Sequence, residues 1–223
     1  MVNSDSLSSW HLATQNCGPM ETNSFLLWQN REAVIIDPSI GADELLQKMR
    51  DLHSDGIRLI AIWNTHGHID HVYDNARWKA EFDVPIFCHS ADHFFLEHLR
   101  EQSLWFGLAE PEVVPPDELL HEGQTLKVGD LEVQVLELPG HSPGSVAFYF
   151  DDHLVSGDVI FHHSYGRVDL PGADAKQLGR SLERVLQMPA QTQILCGHGA
   201  LTSVGAEAQG NTAARDLMAK LAA

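Results

Sequence analysis

The stretch from Trp63 to Val72 reads WNTHGHIDHV and places His66, His68, Asp70 and His71 inside six residues. Imidazole nitrogens and carboxylate oxygens are the usual ligands of divalent zinc, iron or manganese, and an ion needs several of them converging from different directions. In extended backbone, residues two apart point the same way, so His66 and His68 can share one ion. Asp70 and His71 lie beyond, at the expected start of a helix, and face another direction. The spacing therefore points to two ions. The competing account is a chance surface cluster in a chain with 14 histidines. Four ligand-type side chains in six residues directly after the apolar run IRLIAI weigh against it.

Further ligands are expected in the same setting, a polar residue that follows an apolar strand and sits beside glycine. Three places qualify. LELPGHSPGS presents His141, HLVSGDVIF presents Asp158 and TQILCGHGA presents His198. The neighbouring glycines let the backbone turn closely around an ion. Five histidines and two aspartates suffice for two ions if one carboxylate bridges them, and bridged pairs lie about 3.5–4 Å apart in metal-dependent hydrolases.

These residues need elements to position them. NSFLLW and AVIID read as short strands, and GADELLQKMRDLHSDG carries Leu45, Leu46, Met49 and Leu52 at helical spacing, closed by Gly56 before the strand IRLIAIW. Residues 70–82 suit a second helix, VPIFCH a strand, and residues 90–106 a third helix that Ser90 would cap. The Pro- and Glu-rich residues 108–123 read as a surface connection. After it come the strands TLKVG, LEVQVLEL, SVAFYF and HLVSGD, a helix with Leu178, Leu182, Val185 and Leu186 in one stripe, the strand TQIL and a terminal helix from Asn211. Two β-rich halves, each with helices, predict an α/β (α+β) fold with two sheets face to face and helices outside.

At 223 residues and 43 % hydrophobic content, the chain suits one domain spanning residues 1–223. A net charge of −17 at pH 7, with no Lys/Arg cluster, disfavours nucleic acid as a partner. The start shows no basic, apolar leader and no segment reaches the roughly 20 apolar residues of a membrane span, so no membrane partner and a cytoplasmic location are expected. Cys17, Cys88 and Cys196 are too few and scattered for a disulfide framework and read as buried thiols.

Asp37 in IIDP, THGHIDH, PGHSPGS, SGDVIF, YGRVDLPG and CGHG together resemble the metallo-β-lactamase superfamily, and within it glyoxalase II and the short glyoxalase-II-like hydrolases. The resemblance covers nearly the whole chain. It implies a four-layer αββα sandwich with two divalent metal ions, zinc first and iron or manganese as alternatives, at one edge of the sheets. One ion would be held by His66, His68 and His141, the other by Asp70, His71 and His198, with Asp158 bridging. Asp37 matches a position that supports the metal-binding loop from behind; an ordinary turn residue before Pro38 is the alternative.

The implied reaction is hydrolysis of a small thioester of the S-acyl-glutathione type, with Asp70 orienting the nucleophile and taking its proton. A thiolate leaving group needs little protonation, which suits a motif set with no dedicated general acid. Arg167 and Tyr165 in YGRVD match the substrate-contact region; Arg167 would pair with a substrate carboxylate or, alternatively, form a surface salt bridge. Full-length glyoxalase II appends a helical segment with further basic residues, so a chain ending at Ala223 matches the short form. The rival expectation is a persulfide dioxygenase of the same fold, holding one iron through His66, His141 and Asp158. His162 and His163 either extend the metal site, line the pocket or form an ordinary loop. The aromatic residues of 93–106 are expected first as core packing and second as a wall above the site.

Overall fold

The computed structural model describes residues 9–222; the first eight residues, which bear on the expected absence of a leader, lie outside the described residues. The chain opens with strands β1 (His11–Cys17), β2 (Thr22–Gln29) and β3 (Glu32–Ile36), then helix α1 (Asp43–Ser54) and strand β4 (Arg58–Trp63). Helices α2 (Ile69–Val72) and α3 (Asn75–Phe82) precede β5 (Ile86–His89), followed by a 3₁₀ turn at Ser90–Asp92, helices α4 (His93–Glu97) and α5 (Leu99–Phe106), and β6 (Glu118–Leu120). These six strands form one sheet in the order β1-β2-β3-β4-β5-β6, antiparallel as far as β3 and parallel from there.

The second half supplies β7 (Thr125–Val128), β8 (Leu131–Glu137), β9 (Val146–Phe150) and β10 (His153–Gly157), the hairpin β11 (Ile160–Phe161) and β12 (Ser164–Tyr165), and helix α6 (Ala175–Leu186). Strands β13 (Gln193–Cys196) and β14 (Thr202–Ser203) and helices α7 (Val204–Gly210) and α8 (Thr212–Ala222) complete it. The second sheet runs β14-β13-β10-β9-β8-β7, with β10 and β13 parallel.

Alternation along the strands builds the layers. Phe25, Leu27, Val34 and Ile36 meet Val133, Val135, Phe148 and Val155 between the sheets. The side chains between them point outward: Leu26, Ala33 and Ile35 pack under α1 and α3, and Ala147 and Leu154 under α6 and α8. Central strands covered on both faces therefore read as continuous apolar runs. Each fully buried aliphatic or aromatic side chain contributes about 1.5–3 kcal/mol of burial free energy. The result is the expected αββα sandwich. Among the described residues no helix is long and apolar enough to cross a membrane.

The departures from expectation lie at edges and breaks. Strands β1 and β6 are the two edges of the first sheet. β1 is polar and half exposed, and β6 is a three-residue strand inside what reads as a surface connection. The helix expected over residues 70–82 is interrupted before Asn75 because the Asp74 N–H donates to the Pro38 carbonyl at 3.0 Å. The helix expected over 90–106 breaks at His98, where the Gln102 side chain takes the Phe95 carbonyl at 2.7 Å. Ser90 is not its cap; His89 precedes the turn and its ring accepts from the Ala91 N–H.

Candidate metal centre

All seven expected ligand residues converge at one edge of the sandwich. His66 and His68 follow β4, Asp70 and His71 form the short helix α2, His141 lies in the loop after β8, and Asp158 and His198 follow the parallel neighbours β10 and β13. The β10–β13 register, Gly157 opposite Cys196, brings the last two side by side. Glycine is required beside them: a Cβ on Gly197 would strike the Asp158 carboxylate, and Gly157 has φ +48° against the Thr65 side chain. The sheets are stitched across this edge by Val146 N–H to the Thr65 carbonyl at 2.8 Å and Asn23 N–H to the Gly197 carbonyl at 2.7 Å.

Three overlapping groups can each surround an ion, their donor atoms lying within 4.8 Å of one another: His66, His68 and His141; His66, His71 and Asp158; and Asp70, His71 and His198. His68 Nδ1 and His141 Nε2 are 2.8 Å apart. Asp158 faces both sides, with Oδ2 3.5 Å from His141 Nε2 and 3.4 Å from His198 Nε2, and Oδ1 3.2 Å from His71 Nε2. Asp70 Oδ2 lies 3.2 Å from His198 Nε2 and 3.3 Å from His71 Nε2.

The outer contacts orient these rings. Asp37 accepts from the Thr65 N–H at 2.7 Å and the Thr65 hydroxyl at 2.6 Å, and lies 2.9 Å from His71 Nδ1. Its backbone sits at φ +50°, a left-handed conformation that costs a non-glycine residue energy and clusters at functional sites. Since the Thr65 hydroxyl donates to Asp37, its lone pair accepts from His66 Nδ1–H at 3.1 Å, leaving His66 Nε2 free to face an ion. His141 Nδ1 donates to the Arg167 carbonyl at 2.9 Å, which likewise frees Nε2. The buried Nε2 atoms of His66 and His68 have no hydrogen-bond partner. Buried nitrogens of this kind are costly unless an ion or hydrogen bond satisfies them, so the donor set fits divalent cations.

Charge separates the two sides. Burial, with His71 alongside, holds His66 well below the usual imidazole range, and burial with His141 adjacent pushes His68 down to about 3. On the other side burial is overcome by carboxylates. Asp70, Asp158 and Asp37 hold His71 well above its ordinary range, and Asp158 and Asp70 lift His198 to about 10. Asp70 and Asp158 are correspondingly held well below the carboxylate range against the effect of burial, chiefly by His71.

Sequence reasoning missed Asp92. This buried carboxylate accepts from the Gly67 N–H at 2.8 Å, the Ser142 hydroxyl at 2.7 Å and the Gly144 N–H at 2.6 Å, tying the His66–His68 loop to the His141 loop. It follows a strand, as the ligands do, but lacks the adjacent glycine that marked them. Thr22, whose hydroxyl donates to Asp70 Oδ2 at 2.7 Å, and Gln102, whose side-chain carbonyl accepts from the Ile69 N–H at 3.0 Å, carried no local signal.

A cleft of about 280 Å³ opens over the cluster, with His68, Asp70, His141, Asp158 and His198 on its floor. Tyr165 and Arg167 stand on its wall, and the Arg167 guanidinium is held by Asp169 through two hydrogen bonds of 2.7 Å. Phe95, Trp105 and Phe106 also line the cleft, so the expectation that ranked core packing first is corrected: Leu96 and Leu99 pack inward, and the aromatics form the wall. His162 and His163 do not line the cleft; they sit on the β11–β12 turn beside buried Glu207, which accepts from the His163 N–H at 2.8 Å. Cys196 lies in the core, its thiol pushed up to about 12 by burial.

The family model described as the metallo-beta-lactamase superfamily matches residues 17–198. A hydroxyacylglutathione hydrolase, GloC, of Haemophilus influenzae is 34 % identical over 197 residues, covering 86 % of this chain and 92 % of the relative. The structure of TTHA1623 in a di-iron-bound form superimposes with a TM-score of 0.82 at 38 % identity, covering 90 % of this chain and 98 % of the other. The BLEG-1 B3 metallo-beta-lactamase gives 0.82 at 34 % identity, with 91 % and 98 % covered. The chain so matched, with its His/Asp cluster at one edge of an αββα sandwich, belongs to the metallo-beta-lactamase superfamily, whose members are in general metal-dependent hydrolases.

Proposed function

We propose that the protein is a binuclear metal-dependent hydrolase that cleaves a small thioester of the S-acyl-glutathione type. The observation that carries this reading is the convergence of two tri-dentate groups about one shared carboxylate, Asp158, on the floor of an open cleft. His66, His68 and His141 would hold one ion and Asp70, His71 and His198 the other. The name of the Haemophilus relative supports the thioester, and the di-iron neighbour supports iron beside zinc or manganese as the native metal. Three buried free thiols suit a cytoplasmic setting.

When bound, the ions supply Lewis acidity and acidify water. The chain does the rest. Asp70 faces the cleft with Oδ2 fixed by Thr22 and His198, so its carboxylate is positioned to orient the attacking water and take its proton. Attack on the thioester carbonyl breaks the C–S bond, and the thiolate departs without a proton donor. Tyr165 and Arg167 on the wall are the proposed contacts for the substrate's polar arm; Arg167 reaches a carboxylate there by leaving Asp169.

The test is a panel of S-lactoyl-glutathione, other thioesters, lactones and a β-lactam, run on purified protein whose metals have been counted. Thioester cleavage with two ions per chain is the expected result. One iron per chain with oxygen uptake on glutathione persulfide would instead establish the dioxygenase.

A further inference from the structure

We propose that the cleft selects thioesters by an apolar, bulky acyl group, aromatic in the best case, and that Trp105 is the specificity-determining residue. This rests on the thioester reading above and adds which arm of the substrate the cleft accepts.

Three observations converge. First, most side chains above the metal-ligating floor are apolar or aromatic, with Gln102, Ser164 and Arg167 the polar exceptions. Phe95 stands edge-on to His68 with ring centroids 4.7 Å apart, and Trp105 and Phe106 of α5, Phe161 and Leu170 line the same cleft. Second, α5 leaves this surface in water: Trp105 is 59 % exposed and Phe106 36 %, next to Leu104 at 73 %. Exposed apolar side chains gathered at the mouth of a cleft mark a ligand surface, because covering them with an apolar group is favourable. Third, charge is missing from the wall. Among the described residues lining the cleft, Arg167 is the one permanent cation, and its guanidinium is neutralised by both Asp169 oxygens.

At about 280 Å³ the cleft lies near the lower end of the ~300–1,000 Å³ common for ligand pockets. A glutathione arm carries two carboxylates and an ammonium group, and for these the wall offers only Tyr165 and the Arg167 guanidinium at one side, the latter shared with Asp169. The acyl arm therefore enters between Trp105 and Leu170, the thioester carbonyl lies over the Asp70 and Asp158 side of the floor, and the thiol arm projects toward solvent past Arg167.

The experiment compares S-acetyl-, S-lactoyl- and S-phenylacetyl-glutathione on the metal-loaded enzyme, alongside Trp105→Ala and Trp105→Phe. Apolar pocket contacts discriminate about 10- to 200-fold per group. The phenylacetyl thioester is therefore expected to exceed the lactoyl one in kcat/KM by at least about tenfold. That ratio should collapse toward one in Trp105→Ala, chiefly through KM, and survive in Trp105→Phe. A flat series, a lactoyl preference or an unchanged ratio in Trp105→Ala overturns the proposal. Calorimetric binding of the uncleavable S-benzyl- and S-methyl-glutathione thioethers supplies a readout that needs no turnover. Tighter S-benzyl binding that is lost in Trp105→Ala supports the apolar arm even if every thioester resists cleavage, in which case only the thioester reading fails. Equal binding of the two thioethers rejects the apolar arm even where thioesters are cleaved.

Discussion

The floor and the rim of the cleft are built in opposite ways. On the floor nearly every ligand residue is buried and held by a second contact: Asp37 and Thr65 behind His71 and His66, the Arg167 carbonyl behind His141, Thr22 behind Asp70. On the rim, Trp105 extends from a short helix into water with no such tether, beside the exposed Leu104, and Gly107 ends that helix at φ +65°. A floor fixed from several sides preserves the geometry of a reaction. A rim fixed from one side is free to change which molecules are brought to it, and substitutions there touch neither the donors nor the core.

The sharpest way to break this contrast is to remove the floor. His68→Ala or Asp158→Ala should lower kcat/KM by more than the roughly 10- to 100-fold typical of losing an outer partner, with metal content falling in parallel; retained hydrolysis would mean the ions sit elsewhere. Next is Asp92→Ala, which strands the buried N–H groups of Gly67 and Gly144 and leaves the Ser142 hydroxyl to Ser145. At about 1–3 kcal/mol for each unsatisfied donor, denaturant unfolding should show a loss of about 2 kcal/mol or more.

Asp37→Asn tests the outer contacts alone: competition with a chelator should show metal affinity falling about 10- to 100-fold while the fold is kept. Proton linkage comes next. His71 and His198 have pKa values raised by carboxylates, so without metal they hold protons at neutral pH, and ligation must expel them. Metal affinity should therefore strengthen as pH rises toward 10, about tenfold per pH unit for each proton released, and calorimetry in buffers of different ionisation enthalpy should detect those protons. The smallest effect belongs to the exposed face of the rim helix, where Leu104→Ser should change stability by no more than about 0.5 kcal/mol. A large loss there would make the rim part of the core.

The same contrast explains what could be read from the chain. His141, Asp158 and His198 were legible because each follows an apolar strand beside a glycine, and the central strands because both faces are buried. Asp92, Thr22 and Gln102 act through partners 25 to 52 residues away, which no local spacing encodes. Edges β1 and β6 carry exposed polar residues or lie among prolines, the helix break at Asp74 follows from the distant Pro38 carbonyl, and that at His98 accompanies the bond from the Gln102 side chain to the Phe95 carbonyl. Residues 93–106 were ambiguous for a different reason: an aromatic run reads alike whether it faces a core or a cleft.

The pairing of Thr22 with His198 across the two sheets bears on how the protein is made. A ribosome delivers the chain from its N-terminus, so the first sheet emerges with four of the seven donors and an inner face of Phe25, Leu27, Val34 and Ile36 that nothing yet covers. The facing strands and His141 precede residue 198, but the Asp70, His71 and His198 group is complete only when that residue has emerged. An ion held by that group would bind after both sheets are made and would act as a latch between them.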